Sequence, residues 1–278
     1  MAFQLKGIDV SHHNGAIDWR KVANAGVGFA IIRACYGWDN DAQIDKRLVS
    51  NVAGCEKNNI PYGFYHYSYA MTPEDAKKEA SFFLRVIKDF KPSYPVYFDF
   101  EEPSQVGGVK NGKTYAGLPL ETQMQIIEAF LGAIEEAGYF GGLYMSASHL
   151  ERLYLHYPLR VGKFAVWVAH ITSASKPAYS GEFAMWQYSW KGKIDGSSED
   201  TDMNISYVDY AAIIKGKGFN GWNDAETNGA PAQDAESAEG ETIPAETYNA
   251  LQAQFKALQD EHAELLASIK YLITKYGG

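Results

Sequence analysis

Eight short runs rich in β-branched and aromatic residues recur along the first 210 residues: "LKGIDVS", "GFAIIRACYG", "PYGFYHYSY", "YPVYFDFE", "GGLYMSA", "KFAVWVAH", "EFAMWQYS" and "DMNISYVDY". Between the early ones lie "DWRKVANAG", "DAQIDKRLVSNVAGCEKNN", "TPEDAKKEASFFLRVIKDF" and "LPLETQMQIIEAFLGAIEEAGY", whose apolar positions fall three to four apart. Strands apolar on both faces and alternating with helices predict a parallel sheet, and eight of them predict a closed barrel. The helical pattern thins after residue 160, so the fold class expected is α/β, an irregular (β/α)8-like barrel over residues 1–218.

The composition changes near residue 220. Residues 221–247 carry seven acids, no base and many Ala, Gly and Pro, which reads as a solvated linker and is assigned to 219–244. The last segment, 245–278, places Tyr248, Leu251, Phe255, Leu258, His262, Leu265, Ile269, Leu272 and Tyr276 at unbroken 3-4 spacing. Such a stripe predicts a coiled-coil helix and a homo-oligomer formed through residues 248–276. An amphipathic helix folded back on the barrel is the alternative.

The net charge of −9 is mostly the linker's, and no basic cluster occurs along the chain, which argues against a nucleic-acid partner. No run of about 18 apolar residues is present and the N-terminus has no apolar core, so neither a membrane span nor a secretory leader is expected. Cys35 and Cys55 fall in a strand and a helix and are expected to be buried free thiols.

The run "YPVYFDFEE" sets three carboxylates in four positions against apolar residues. With a period of two, Tyr97, Asp99 and Glu101 share one face while Val96, Phe98 and Phe100 share the other. Apolar residues facing outer helices leave Asp99 and Glu101 facing the axis at a strand's C-terminal end, where barrel enzymes build their sites. Asp9 ends the first strand in a similar setting. Asp202 opens the last one, which in a closed barrel neighbours the first. Carboxylates crowded out of water repel, so one keeps its proton towards neutral pH and can serve as an acid, as glycosidic bond hydrolysis requires. Aromatics in "FYHYSY", "LYMS", "WVA", "WQYSW" and "CYGW" suit stacking on sugar rings.

Taken in order, "GIDVSHHNGAIDW", "FAIIRACYG", "YGFYHYS", "VYFDFEE", "GLYMS", "WVAH", "MWQYS" and "DTDMN" closely resemble the glycoside hydrolase family 25 lysozymes, the muramidases common among phage endolysins, over about residues 3–210. The resemblance implies cleavage of the β-1,4 bond between N-acetylmuramic acid and N-acetylglucosamine of bacterial peptidoglycan, with net retention and no cofactor or metal. It implies Glu101 as general acid/base and Asp99 as its partner, attacking the anomeric carbon or steadying the substrate's acetamido group. Asp9 and Asp202 match the remaining acids. Tyr65, Tyr144, Trp167, Trp186 and Gln187 match substrate-site positions, and Arg33 does so with departures. Arg33 stands where a "KATEG"-like motif has lysine, and Tyr36 where it has glutamate. With no secretory leader expected, the protein is expected to be made in a host cytoplasm and to act on the bacterial cell wall after release. A zinc amidase is disfavoured because adjacent His12 and His13 diverge and no ligand set has suitable spacing. A non-catalytic wall-binding or virion structural protein would explain the heptad segment, but not the cluster of acids.

Overall fold

The computed structural model describes residues 3–38, 40–101 and 117–222. Residues 223–244 of the expected linker and the whole heptad segment, 245–278, lie outside the described residues.

Eight strands close into a barrel in chain order: β1 Leu5–Val10, β2 Phe29–Tyr36, β3 Tyr62–Tyr67, β4 Val96–Asp99, β5 Gly141–Ser146, β6 Ala165–Ala169, β7 Met185–Gly192 and β8 Thr201–Ser206. The helices are α1 Trp19–Asn24, α2 Leu48–Lys57, α3 Pro73–Ile87, α4 Leu120–Glu136, α5 Ala147–His156, α6 Pro158–Val161 and α7 Tyr210–Gly216. From β1 to β7 neighbours are parallel, but β8 runs antiparallel to both β7 and β1. This corrects the all-parallel sheet expected from the sequence. Residues 193–200 alone join β7 to β8, too short a connection for the crossover that parallel neighbours require. The reversal starts β8 on the face where the other strands end.

Local chemistry fixes the elements that carry the site. Thr72 accepts a hydrogen bond from Asp75 N at 3.1 Å, Pro73 follows it, and Glu74 and Asp75 occupy the first turn, so α3 starts immediately after the β3 loop. Two apolar layers result. The outer one joins Ile8, Val10, Ile32, Val96, Phe98 and Phe100 to the helices, with Phe98 stacked on Phe130 of α4 at 4.3 Å between ring centroids. Burying one such ring contributes roughly 1.5–3 kcal/mol, and a well-placed ring pair about 0.5–1.5 kcal/mol more. The inner layer holds Phe29, Ile31, Tyr94, Tyr97, Tyr144, Trp167 and Met185 along the axis. A Cβ on Gly142 would lie 2.4 Å from the Tyr97 ring, so the bulk inside the barrel depends on a missing side chain beside it.

Two details shape the ends. In β2 the register slips between Arg33 and Cys35, so Ala34 and Cys35 both join the outer core, and Tyr36 turns back to the side of Arg33. Both cysteines are buried free thiols, as expected. At the opposite end, Asn220 is fully buried with φ 57° and donates to Pro92 O and Tyr94 O at 2.9 and 3.0 Å while accepting from Phe140 N at 2.8 Å. Trp222 Nε1 also donates to Pro92 O. Residues 219–222, which composition assigns to the linker, therefore pack on the barrel.

Candidate active site

The polar face of β4 meets the ends of β1 and β8 at one mouth. A cleft of about 380 Å³ is lined by Asp9, Asp99, Glu101 and Asp202 together with Arg33, Tyr65, Tyr67, Tyr144, Trp167 and Gln187. Each acid arrives by register. Asp9 pairs with Asp202 across the β1–β8 ladder, and Asp99 lies between Tyr67 of β3 and Tyr144 of β5. Phe100 N donates to Tyr144 O at 3.1 Å, which keeps the chain paired past β4 and delivers Glu101 to the rim.

A hydrogen-bond chain orients the floor. Asp9 Oδ2 accepts from Gln187 Nε2 at 2.9 Å and from Asn204 Nδ2 at 2.8 Å. Tyr144 Oη in turn donates to Gln187 Oε1 at 2.9 Å, and Trp167 Nε1 donates to Asn204 Oδ1 at 2.9 Å. These donors oppose the burial that pushes the Asp9 carboxyl upward, although burial wins. Asp99 Oδ1 differs from them: it is buried and has no hydrogen-bond partner.

All four acids hold protons more tightly than free side chains. Burial, then the charge of Asp9, pushes Glu101 up to about 7. Burial, then Asp9 opposite it, pushes Asp202 up to about 8. Asp99 is raised by burial and by the charges of Glu101 and Asp9, against the pull of Arg33. Arg33 is itself held from behind, its Nε donating to the buried Asp45 carboxylate at 2.9 Å. Burial works against the Asp45 charge, but backbone N–H donors from Arg47 and His12 and the Arg33 guanidinium outweigh it and hold Asp45 below its usual value. The cleft thus offers proton donors at neutral pH, a buried carboxylate oxygen with no partner of its own and aromatic walls. Among the described residues no group of three or more His, Cys, Asp or Glu is arranged to hold a metal ion.

Nine of the ten residues expected at the site line the cleft; Trp186 does not. It sits in the outer core with its Nε1 donating to His170 O at 2.8 Å. Adjacent residues of a strand face opposite ways, so Trp186 and Gln187 cannot both reach the axis. Asn204 and Asp45 escaped the sequence reading. Asn204 follows Asp202 by two on the same strand face, a usable signal. Asp45 lies in a loop with no pattern to mark it.

The family model of "Glycosyl hydrolases family 25" matches residues 8–197. Lysozyme M1 of Streptomyces globisporus is 27% identical over 208 residues, 72% of this chain and 67% of that protein. Among solved structures, the modular autolysin LytC from Streptococcus pneumoniae in complex with synthetic peptidoglycan ligand is 32% identical with a TM-score of 0.62. That match covers 73% of this chain and 46% of the autolysin, so the chain spans about half the length of that relative. The bacterial lysozyme from Streptomyces coelicolor is 26% identical, with a TM-score of 0.60 over 72% of this chain and 90% of that one. The barrel with its acid-lined mouth and a family match over most of the chain lead to one conclusion: the chain belongs to glycosyl hydrolases family 25.

Proposed function

We propose that the chain is a peptidoglycan hydrolase, an N-acetylmuramidase that cuts the β-1,4 bond between N-acetylmuramic acid and N-acetylglucosamine with net retention. The observation that carries this reading is the convergence of four carboxylates in one cleft, with Glu101 keeping its proton up to about 7. The names of the relatives, a lysozyme and an autolysin bound to a peptidoglycan ligand, support the substrate class.

In this mechanism Glu101 donates its proton to the leaving oxygen as the glycosidic bond breaks, then takes a proton from the water that completes hydrolysis. Asp99 serves the positive charge growing at the anomeric carbon. Its unpartnered Oδ1 suits either direct attack or a hydrogen bond from the substrate's acetamido nitrogen. Asp9, fixed by Gln187 and Asn204, sustains the proton affinity of Glu101. Tyr65, Tyr144 and Trp167 form the apolar wall on which a sugar ring stacks. The heptad segment 245–278 joins several barrels, and mass by light scattering with and without it tests that assembly.

Mass analysis of fragments released from purified peptidoglycan tests the bond. Reducing N-acetylmuramic acid ends are expected. Reducing N-acetylglucosamine ends, or free stem peptides, would remove this reading.

A further inference from the structure

A second chamber adjoins the cleft. About 380 Å³ in volume, it is lined by His12, His13, Arg33, Tyr36, Tyr67, Tyr69 and Glu101. Arg33, His13, Tyr67 and Glu101 belong to both cavities, so the two meet at the general acid. Their chemistries are opposed. The cleft collects Asp9, Asp99, Asp202, Glu199 and Asp200, whereas among the described residues Glu101 is the one acid on the chamber's wall. The rest are a guanidinium, two imidazoles and three phenols.

The chamber is built by the β2 slip. In a regular strand Arg33 and Tyr36, three apart, would face opposite sides. The extra residue places both on one wall, with the Arg33 guanidinium carbon 5.6 Å from the Tyr36 ring centroid. Tyr69 packs edge-on against both Tyr36 and Tyr67, at 5.8 and 5.7 Å. Asp45, which lines neither cavity, holds Arg33 Nε from behind, and His12 Nδ1 contacts an Arg33 terminal nitrogen. The guanidinium is therefore immobilised with donors to spare, in a partly desolvated setting where one more charge-assisted hydrogen bond is strong.

Building on the muramidase reading, we propose that this chamber binds a carboxylate carried on the lactyl arm of the N-acetylmuramic acid unit, with Arg33 as the anchor and Tyr36 as the residue that keeps the chamber free of competing negative charge. The arm is an ether substituent of the sugar ring, so it projects sideways from a ring held beside Glu101. A carboxylate reaches the chamber in two ways: as the free lactyl acid, or as an acid of the stem peptide attached there.

Three substrates separate these sources: glycan strands bearing intact stems, strands stripped to the free lactyl acid, and stripped strands whose lactyl acid is converted to a neutral methylamide. The reading is the rate of new reducing ends at low substrate concentration, which follows kcat/KM. A preference of roughly tenfold for the free acid over the methylamide is expected. Highest rates on stemmed strands would assign the anion to the peptide. Tyr36→Glu should collapse the preference to near unity, because a carboxylate beside Arg33 occupies it, while Tyr36→Gln, of equal size and no charge, should keep it. Equal rates on all three substrates, or a preference that Tyr36→Glu leaves intact in a folded protein, would overturn the inference while leaving the muramidase reading standing. No cleavage of any strand would instead remove that reading.

Discussion

Asp202 of β8 lies directly opposite Asp9 of β1 in an antiparallel pair, two carboxylates brought together by the first and last strands of the barrel. The pair persists because a proton is retained: Asp202 is pushed up to about 8 by burial, by the charge of Asp9 and by its hydrogen bond to Asp9. Protonated Asp202 donates where two bare carboxylates would repel.

Replacing Asp202 by Asn mimics that protonated state. At about pH 6, Asp202→Asn is expected to keep wall-lysis rates within roughly threefold, since an amide also donates to Asp9. A loss of more than about a hundredfold in initial rate would mean that ionised Asp202 is required.

Stability should fall as the solution becomes alkaline. Glu101 and Asp202 have folded-state values of about 7 and about 8 against ordinary values of 4.5 and 3.8. Between those limits the native state binds more protons than the unfolded chain, so unfolding free energy decreases as pH rises. The Glu101 shift alone corresponds to about 3 kcal/mol over the whole window. Calorimetry should give a higher Tm near pH 5.5 than near pH 8.5, with a flatter trend in Asp202→Asn; a Tm rising across that interval would contradict the protonated cluster.

Activity follows the same proton. With Glu101 as acid, initial rates of turbidity loss should decline as pH rises through about 7. Glu101→Gln, which keeps shape but not the proton, should lower the rate by about a hundredfold or more with an unchanged circular dichroism spectrum. Undiminished lysis by that folded variant would take Glu101 out of the mechanism.

The β3 loop that borders the cleft rests on one buried acid. Glu79 of α3, with no exposure, accepts from Ser68 Oγ at 2.6 Å and Tyr69 N at 2.8 Å and contacts His66 Nε2 at 3.1 Å. Ser68 N donates onward to Asp99 O at 3.0 Å. Glu79→Ala strands all three partners and should cost about 3–5 kcal/mol in denaturant unfolding. A cost below about 1 kcal/mol would show that water replaces the carboxylate.

The strand count, the closed barrel and three of the acids were legible because they depend on local periodicity. Apolar residues alternating through "YPVYFDFEE" leave Asp99 and Glu101 no other face, whatever the rest of the chain does. Asp9 follows from the end of the first strand by the same rule. The position of Asp202 was inferred from barrel closure, but the reason it reaches the rim is the reversal of β8. In a parallel barrel the first residues of a strand lie at the opposite end.

Trp186 marks where likeness of motif misled: "MWQYS" names two candidate site residues, but a pleated strand can send only alternate ones inward. The partnership of Arg33 and Tyr36 was hidden for a related reason. A one-residue slip in register reverses the face of every later side chain, and register is set by pairing with β3, outside the stretch that contains them. Asp45 was silent too, because a hydrogen-bond partner in a loop is chosen by approach in space, whereas Asn204 shares a strand face with Asp202 and could have been read from that spacing.

The sequence by itself determined which residues alternate, which faces are apolar and which acids stand at strand ends, since these follow from the repeat of the backbone. Only the tertiary structure decided the direction of β8, the wall shared by Arg33 and Tyr36, and the donors that fix Asp9. Each of these depends on contacts between segments far apart in the chain, and so does the retention of protons, because desolvation exists only once the barrel has closed around the acids.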